Sequence, residues 1–308
     1  MKRYAPGVTL VELITVVAII AILIGLLVPA VNVARRFAKE TQQRAQLTAV
    51  DVALMAFRND FGDYPPSNYS CGPGVTPDLY RPAYCGAQKL AEALVGRDMR
   101  GFHPGAYPYL ATTDGGKNRA NDVYYPDSPT SDNLQARKEF YLDTSMAKAF
   151  RVGATLDRPG LYSFVDNLAP ESFVLCDVYA RKVVLVRDGT TTREVKLGSP
   201  ILYYRADTTQ KSSQDIYNYD DNYGFIRTKE YNDHQDSGLK PGNWGDGVAE
   251  SVGRSSFYSY IRDPRVALPT GVTNPGLGLP YRPDSYILVS AGADGVYGNS
   301  DDVCNFSR

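Results

Sequence analysis

From Leu13 to Ala34 the chain carries no charged residue. A helix rises about 1.5 Å per residue, so this run is roughly 30 Å long and can cross the hydrocarbon core of a bilayer. One carboxylate, Glu12, stands at its N-terminal end. Burying an unpaired charge in a membrane costs at least a few kcal/mol, which makes Glu12 a functional candidate. The plainer reading is that Glu12 marks the water-side edge of an ordinary anchor.

The residues ahead of the run are short and basic (Lys2, Arg3) and end in Gly7. Gly7-Val8-Thr9-Leu10-Val11-Glu12-Leu13 follows the order Gly, aromatic or aliphatic, Thr, Leu, Val or Ile, Glu, Leu or Met. That order resembles the class III signal of type IV pilins and type II secretion pseudopilins. The resemblance implies cutting by a prepilin peptidase between Gly7 and Val8 and methylation of the new N-terminus. Glu12 becomes the fifth residue of the mature chain, and Pro29 falls where the family carries a helix-kinking proline. Most members have Phe at the first mature position, where this chain has Val8. Physically, the new amine and Glu12 are both costly to bury alone. Pairing the amine of one subunit with Glu12 of a neighbour meets both costs and sets register. The implied partners are further copies of the chain in a homopolymer, minor pseudopilins, the peptidase, an inner-membrane secretion assembly platform and the lipid bilayer.

Beyond the run the helix continues. Leu47, Val50, Leu54, Phe57 and Phe61 recur at steps of three and four, with Glu40, Gln43, Arg44 and Asp51 on the other side. This is an amphipathic helix with one stripe toward a core. Gly25 and Pro29 are its weak points. It should end near residues 59–62, before Asp63-Tyr64-Pro65-Pro66. A helix followed by Gly62-x-Tyr64-Pro65 resembles the same junction in major pseudopilins. The expected fold class is α+β and pilin-like: a long N-terminal helix, transmembrane in its first half, packed on a small antiparallel β-sheet with large loop insertions. The segments are a leader (1–7), a transmembrane assembly helix (8–34), its amphipathic continuation (35–62) and a periplasmic globular domain (63–308). Insertions fall at about 98–160 and 207–280.

Within that domain, residues 87–97 read as a short helix. Residues 173–178 and 182–187 are β-rich and suggest a hairpin across Tyr179-Ala180-Arg181. Gly198-Ser199-Pro200-Ile201-Leu202-Tyr203-Tyr204-Arg205 resembles the family's Gly-x-Pro-x-x-Tyr strand. Residues 210–253 are polar, rich in Tyr, Asn and Asp, and aperiodic. They read as an irregular surface insertion, not as disorder, because the aromatic content is high.

Near the C-terminus the strand Tyr286-Ile287-Leu288-Val289-Ser290 runs into Ala291-Gly292-Ala293-Asp294-Gly295-Val296-Tyr297-Gly298-Asn299-Ser300-Asp301-Asp302-Val303. Three carboxylates in a glycine-bearing loop repel one another unless a cation neutralises them, and hard oxygen ligands in a flexible loop favour Ca²⁺ over Mg²⁺. The competing reading is a plain hairpin turn, since Asp294-Gly295 is a strong turn dipeptide. The order Ser-x-Gly-x-Asp-Gly followed by Asp-Asp-Val resembles the calcium loop of the major pseudopilin of type II secretion. The resemblance implies carboxylate ligands Asp294, Asp301 and Asp302 and backbone carbonyls of Ala291, Val296 and Asn299, holding a structural Ca²⁺. Asp114, Asn118 and Asp122 are a weaker copy of this spacing, read as a turn-rich loop.

The chain has 308 residues and a formal net charge of −1, with 33 Lys and Arg against 34 Asp and Glu, so nothing points to a nucleic-acid partner. Its four cysteines allow three pairings. Cys71 and Cys85 flank a Pro/Gly/Tyr loop and are the favoured pair, leaving Cys176 with Cys304. The alternative is free buried thiols. Basic residues flank both ends of the apolar run (Lys2 and Arg3; Arg35, Arg36 and Lys39), so the positive-inside rule does not set topology. The single-pass inner-membrane placement, with the C-terminal domain in the periplasm, is implied by the resemblance alone. Two histidines far apart, His103 and His234, and the lack of a nucleophile or metal-protease motif argue against an enzyme. The leading expectation is a structural pseudopilin subunit polymerising into a type II secretion pseudopilus. The rivals are a surface type IV pilin for adhesion or motility, and an exported membrane-anchored binding domain, which becomes soluble or lipid-tethered if a conventional signal peptide is cut near Val28-Pro29-Ala30. Against the last, the apolar run is too long for a signal peptide and Glu12 is out of place.

Overall fold

A computed structural model describes residues 9–68, 84–106, 124, 131–153, 160–162, 169, 171–188, 191–210, 213–226, 250–268, 270–271, 273–274 and 277–306. The protein is α+β, with a long apolar N-terminal helix and small antiparallel sheets. It divides into two units, Met1–Gln42 and Gln43–Arg308. Helix α1 (Leu10–Phe61) runs unbroken for 52 residues, and Pro29 lies inside it without ending it. In the first unit its apolar side chains are exposed, Leu26 at 69% and Ile22 at 64%. The helix is long and apolar enough to cross a membrane.

In the second unit the expected stripe is core. Leu47, Val50, Ala53, Leu54 and Phe57 are buried, and Phe61 is half-buried against Phe57 and Phe102. The helix stops at Phe61, where Gly62 takes a left-handed φ of 82° and its N–H closes the last turn on the Arg58 carbonyl at 2.7 Å. Gln43, expected on the polar side, is instead fully buried beside Gln46.

The strands are β1 (Ala149–Arg151), β2 (Phe173–Leu175), β3 (Lys182–Asp188), β4 (Thr191–Leu197), β5 (Leu202–Arg205), β6 (Tyr286–Ser290) and β7 (Val303–Cys304). All pairings are antiparallel: β1 with β2, β3 with β4, and β5–β6–β7 in one sheet, with Leu202 opposite Val289. The expected hairpin between residues 173–178 and 182–187 is not formed. Strand β2 continues instead beside Pro200 and Ile201, through a Cys176–Pro200 bridge and the Ile201 N–H on the Leu175 carbonyl at 2.7 Å. The hairpin partner of β3 is β4. The Asp188-Gly189 dipeptide between them is the stronger turn signal, because it tolerates the positive φ of a tight hairpin.

Helix α2 (Gly86–Val95) is buried along its whole length and crosses near β5, where a Cβ on Gly86 would lie 2.2 Å from the Tyr203 carbonyl oxygen. The β5–β6 pair is apolar on both faces. Tyr203, Tyr286 and Leu288 pack with Leu47, Val50, Leu54 and Leu90 from α1 and α2. Leu202, Tyr204, Ile287 and Val289 pack with Tyr217, Tyr219, Phe225 and Phe257. These last four come from the insertion expected at about 207–280, the first three from its polar part read as irregular surface; its described part holds turns at Ser213–Ile216 and Tyr223–Ile226 and helix α3 (Glu250–Ile261). That part is therefore the second cover of the sheet. The physical reason is legible in the strands: Ile201-Leu202-Tyr203-Tyr204 and Tyr286-Ile287-Leu288-Val289 lack the polar alternation of a half-exposed sheet.

Candidate functional site

At the start of α1, Thr9 is the N-cap and Glu12 the third helical residue. The Glu12 N–H reaches the Thr9 hydroxyl at 3.3 Å. In return the Thr9 N–H and hydroxyl both donate to Glu12 Oε2 at 2.8 Å. This is a reciprocal capping box, which satisfies two donors that a helix start leaves open. The Thr-x-x-Glu spacing signalled it, and the sequence reading passed over it in favour of an intersubunit role for Glu12. Both bonds to the carboxylate fall on one oxygen. Gly7 and Val8 lie outside the described residues, while Pro29 is within α1.

The C-terminal loop is tied up by its own acids. The Asp294 N–H donates to Asp301 Oδ2 at 2.9 Å, and Asp294 accepts from the Val296 N–H at 2.8 Å and the Asn299 amide at 2.7 Å. Asp302 Oδ2 accepts from the Gly298 N–H at 2.7 Å, the Asn299 N–H at 3.2 Å and the Tyr260 hydroxyl of α3 at 2.7 Å. The Ala291 carbonyl takes the Gly295 N–H at 3.1 Å. Gly292, Gly295 and Gly298 all have positive φ. At Gly292 a Cβ would lie 2.1 Å from the Asp301 carbonyl oxygen, so glycine is required there for the loop to close. Arg181 donates to the Gly292 carbonyl at 2.6 Å, which brings a fixed cation to the loop. Asp302 Oδ1 is buried without a hydrogen-bond partner, and burial pushes the Asp302 carboxyl up to about 7. Among the described residues no three His, Cys, Asp or Glu side chains converge as a metal cluster.

Beneath this loop lies a second polar centre that the sequence reading missed. Gln46 donates to the Met146 and Cys176 carbonyls, each at 3.0 Å, and Gln43 accepts from the Val178 N–H at 2.8 Å. Two glutamines one helical turn apart thus clamp α1 to the chain leaving β2. The adjacent Asp177 is 2% exposed and accepts from Tyr179 N–H at 3.0 Å, Ser199 N–H at 3.2 Å and the Ser290 hydroxyl at 3.2 Å. Gly198 belongs to the same centre, since a Cβ there would stand 1.9 Å from Asp177 Oδ1. Burial raises the Asp177 carboxyl to about 7, against the opposing Tyr179 hydrogen bond and the Arg181 charge. Further along α1, Asp51 accepts from the Tyr286 hydroxyl at 2.8 Å and the Asn305 amide at 3.1 Å, so the face expected toward solvent is also used for docking.

The described cysteines are free thiols. The Cys176–Cys304 pairing is not formed: Cys176 is buried facing the Val174 carbonyl, and Cys304 lies 3.2 Å from the Tyr260 hydroxyl. Cys85 is buried at the N-cap of α2, and burial drives its thiol pKa upward, as it does for Cys176. Cys71, and with it the Cys71–Cys85 pairing, lies outside the described residues, as do Asp114, Asn118, Asp122 and His234. His103 accepts the Gly105 N–H at 3.0 Å and serves a local turn. A polar cleft of about 1010 Å³ is lined by Ser67, Arg205, Asp221, Arg254 and Tyr258. Its two arginines are already paired, with Asp63 and Asp220, so it offers no spare cation to an anionic ligand.

Comparison of the chain with family models, with curated proteins and with solved structures returns no match.

Asp177 carries a pH signature. Its folded value of about 7 lies above the unfolded carboxylate range, so the folded state holds the proton more tightly. The associated stability is full below about pH 4 and is lost as pH rises to about 7. Between those limits, denaturant titration should show Asp177→Asn gaining on the wild type by up to about 4 kcal/mol. A constant difference between the two proteins across that range would contradict the assignment.

Proposed function

We propose that the protein is a structural pilin-like subunit of the pseudopilin type, cut between Gly7 and Val8 and assembled through α1 into a pseudopilus that drives protein export. The observation that carries the reading is the build of α1. One continuous helix begins at Glu12's capping box, presents an apolar surface through the first unit, and becomes a buried stripe from Leu47 onward. A subunit of a helical bundle needs such a division: one half for lipid or neighbouring helices, the other to carry a folded domain. In the assembled state the amine of a neighbouring Val8 pairs with Glu12. Because Thr9 engages only Oε2, the capping box and the intersubunit pair can coexist on one carboxylate. The domain's placement in the periplasm, the minor pseudopilins, the peptidase and the inner-membrane platform belong to the same proposal.

Calcium in the C-terminal loop is part of the reading. The buried, unpartnered Asp302 Oδ1 fits a cation, which would also relieve the cost of burying that carboxylate. Asp301 and Asp302 stand side by side there, and Asp294 would exchange its Asn299 amide for the ion. Carbonyls of Ala291, Val296 and Asn299 complete the set. The ion's role would be structural, fastening the loop to the β6 end of the sheet.

Two outcomes follow. Glu12→Ala should insert into membranes at the wild-type level but give filaments at least about tenfold fewer, as expected when a buried charge partner is removed; wild-type filament yield would sink the assembly role. Chelation should lower the melting temperature of the wild type by several degrees and leave Asp302→Ala unmoved. A melt indifferent to chelator would remove calcium from the account.

A further inference from the structure

Three cations stand directly behind the charge-free run: Arg35, Arg36 and Lys39. All three are exposed on α1, and among the described residues none of them makes an ion pair. Glu40, the nearest carboxylate in sequence, has a partner of its own. At about 100° per residue, the three cations share a sector of roughly 100° on the helix. Asn32, exposed one turn before them, lies in the same sector, whereas Phe37, 64% exposed, lies on the other side of the helix.

Their depth follows from the span. With Leu13–Ala34 filling the hydrocarbon, residues 35–39 rise about 7 Å further, which is about the thickness of one headgroup layer. Long basic side chains reach phosphate from that level while their methylenes stay against the acyl boundary. The guanidinium forks of Arg35 and Arg36 suit phosphate oxygens in particular. Among the described residues of the first unit no ion pair neutralises this cluster.

We propose that Arg35, Arg36 and Lys39 form a binding face for anionic phospholipid headgroups. The inference rests on the membrane reading of α1 and adds a lipid class to it. It gives the C-terminal flank of the span a fixed depth and makes release from the bilayer into a filament depend on the anionic lipid content of that leaflet.

The test uses the full chain in single-copy nanodiscs, with Asn32→Trp, on the same sector one turn toward the apolar run, as reporter and the natural Trp244 replaced by Phe. Quenching by brominated phosphatidylglycerol is compared with quenching by brominated phosphatidylcholine. The proposal expects the anionic lipid to be favoured by about tenfold or more. It expects Arg35→Gln/Arg36→Gln/Lys39→Gln to bring the ratio near one while phosphatidylcholine quenching stays unchanged. Equal quenching by both lipids in the wild-type background would overturn the proposal and leave the membrane reading intact, with the cations assigned to carboxylates of a protein neighbour. A preference that survives the triple substitution would also overturn it. Quenching by neither lipid would remove the membrane reading and the proposal together.

Discussion

The β5–β6 pair has no polar face, and the second unit is organised by that fact. All five residues of β6 are buried, and so are Leu202, Tyr203 and Tyr204 of β5. Burying a large apolar side chain is worth about 1.5–3 kcal/mol relative to exposure, so neither face can be left to water. One face takes α1 and α2, the other the tyrosines and Phe257 of the inserted stretch. The same α1 whose described first half is exposed is docked in its second half against one face of that sheet. Polar side chains set the register of that docking: Gln43 and Gln46 on the chain after β2, and Asp51 on Tyr286 and Asn305.

The insertion also reaches the candidate metal loop. Tyr260 of α3 donates to Asp302 and lies beside Cys304, so the element that covers the sheet also closes the loop that follows it. Asp177 and Arg181 link the same loop to the chain beneath it, Arg181 through Gly292 and Asp177 through Ser290. A buried carboxylate is costly unless hydrogen-bonded, and both Asp177 and Asp302 are held by backbone N–H groups. The loop is thus positioned by two separate stretches of chain, α3 and residues 177–181, and a cation bound there would have a route to stabilise the second unit.

Much of this was readable from residues alone where periodicity spoke. The stripe of α1, its end at Gly62 and the helix near residue 90 follow from local pattern and turn chemistry, whereas the strand at Leu202–Arg205 was reached through a resemblance. What local pattern could not carry was pairing between distant segments. Strand β2 chose Pro200 over its nearest neighbour in sequence, and Gln43 looked solvent-facing because a polar side chain at the edge of a stripe has no periodic mark of burial. The Tyr-rich cover was misjudged for a similar reason: its turns are too short to show a helical period, though the unalternating strands already demanded a second cover. Thr9 was different. The Thr-x-x-Glu spacing was in plain view, and a single role for Glu12 obscured its second one.

The account turns on α1 being a processed assembly helix, and its N-terminus decides that most directly. An intact N-terminal peptide mass should be taken on protein from native membranes. The account predicts a chain that starts at Val8 with an N-methylated amine. A start at Val31, or an uncut Met1, would contradict it, because Glu12 would then have no mature amine to pair with and the helix would be an ordinary signal or anchor.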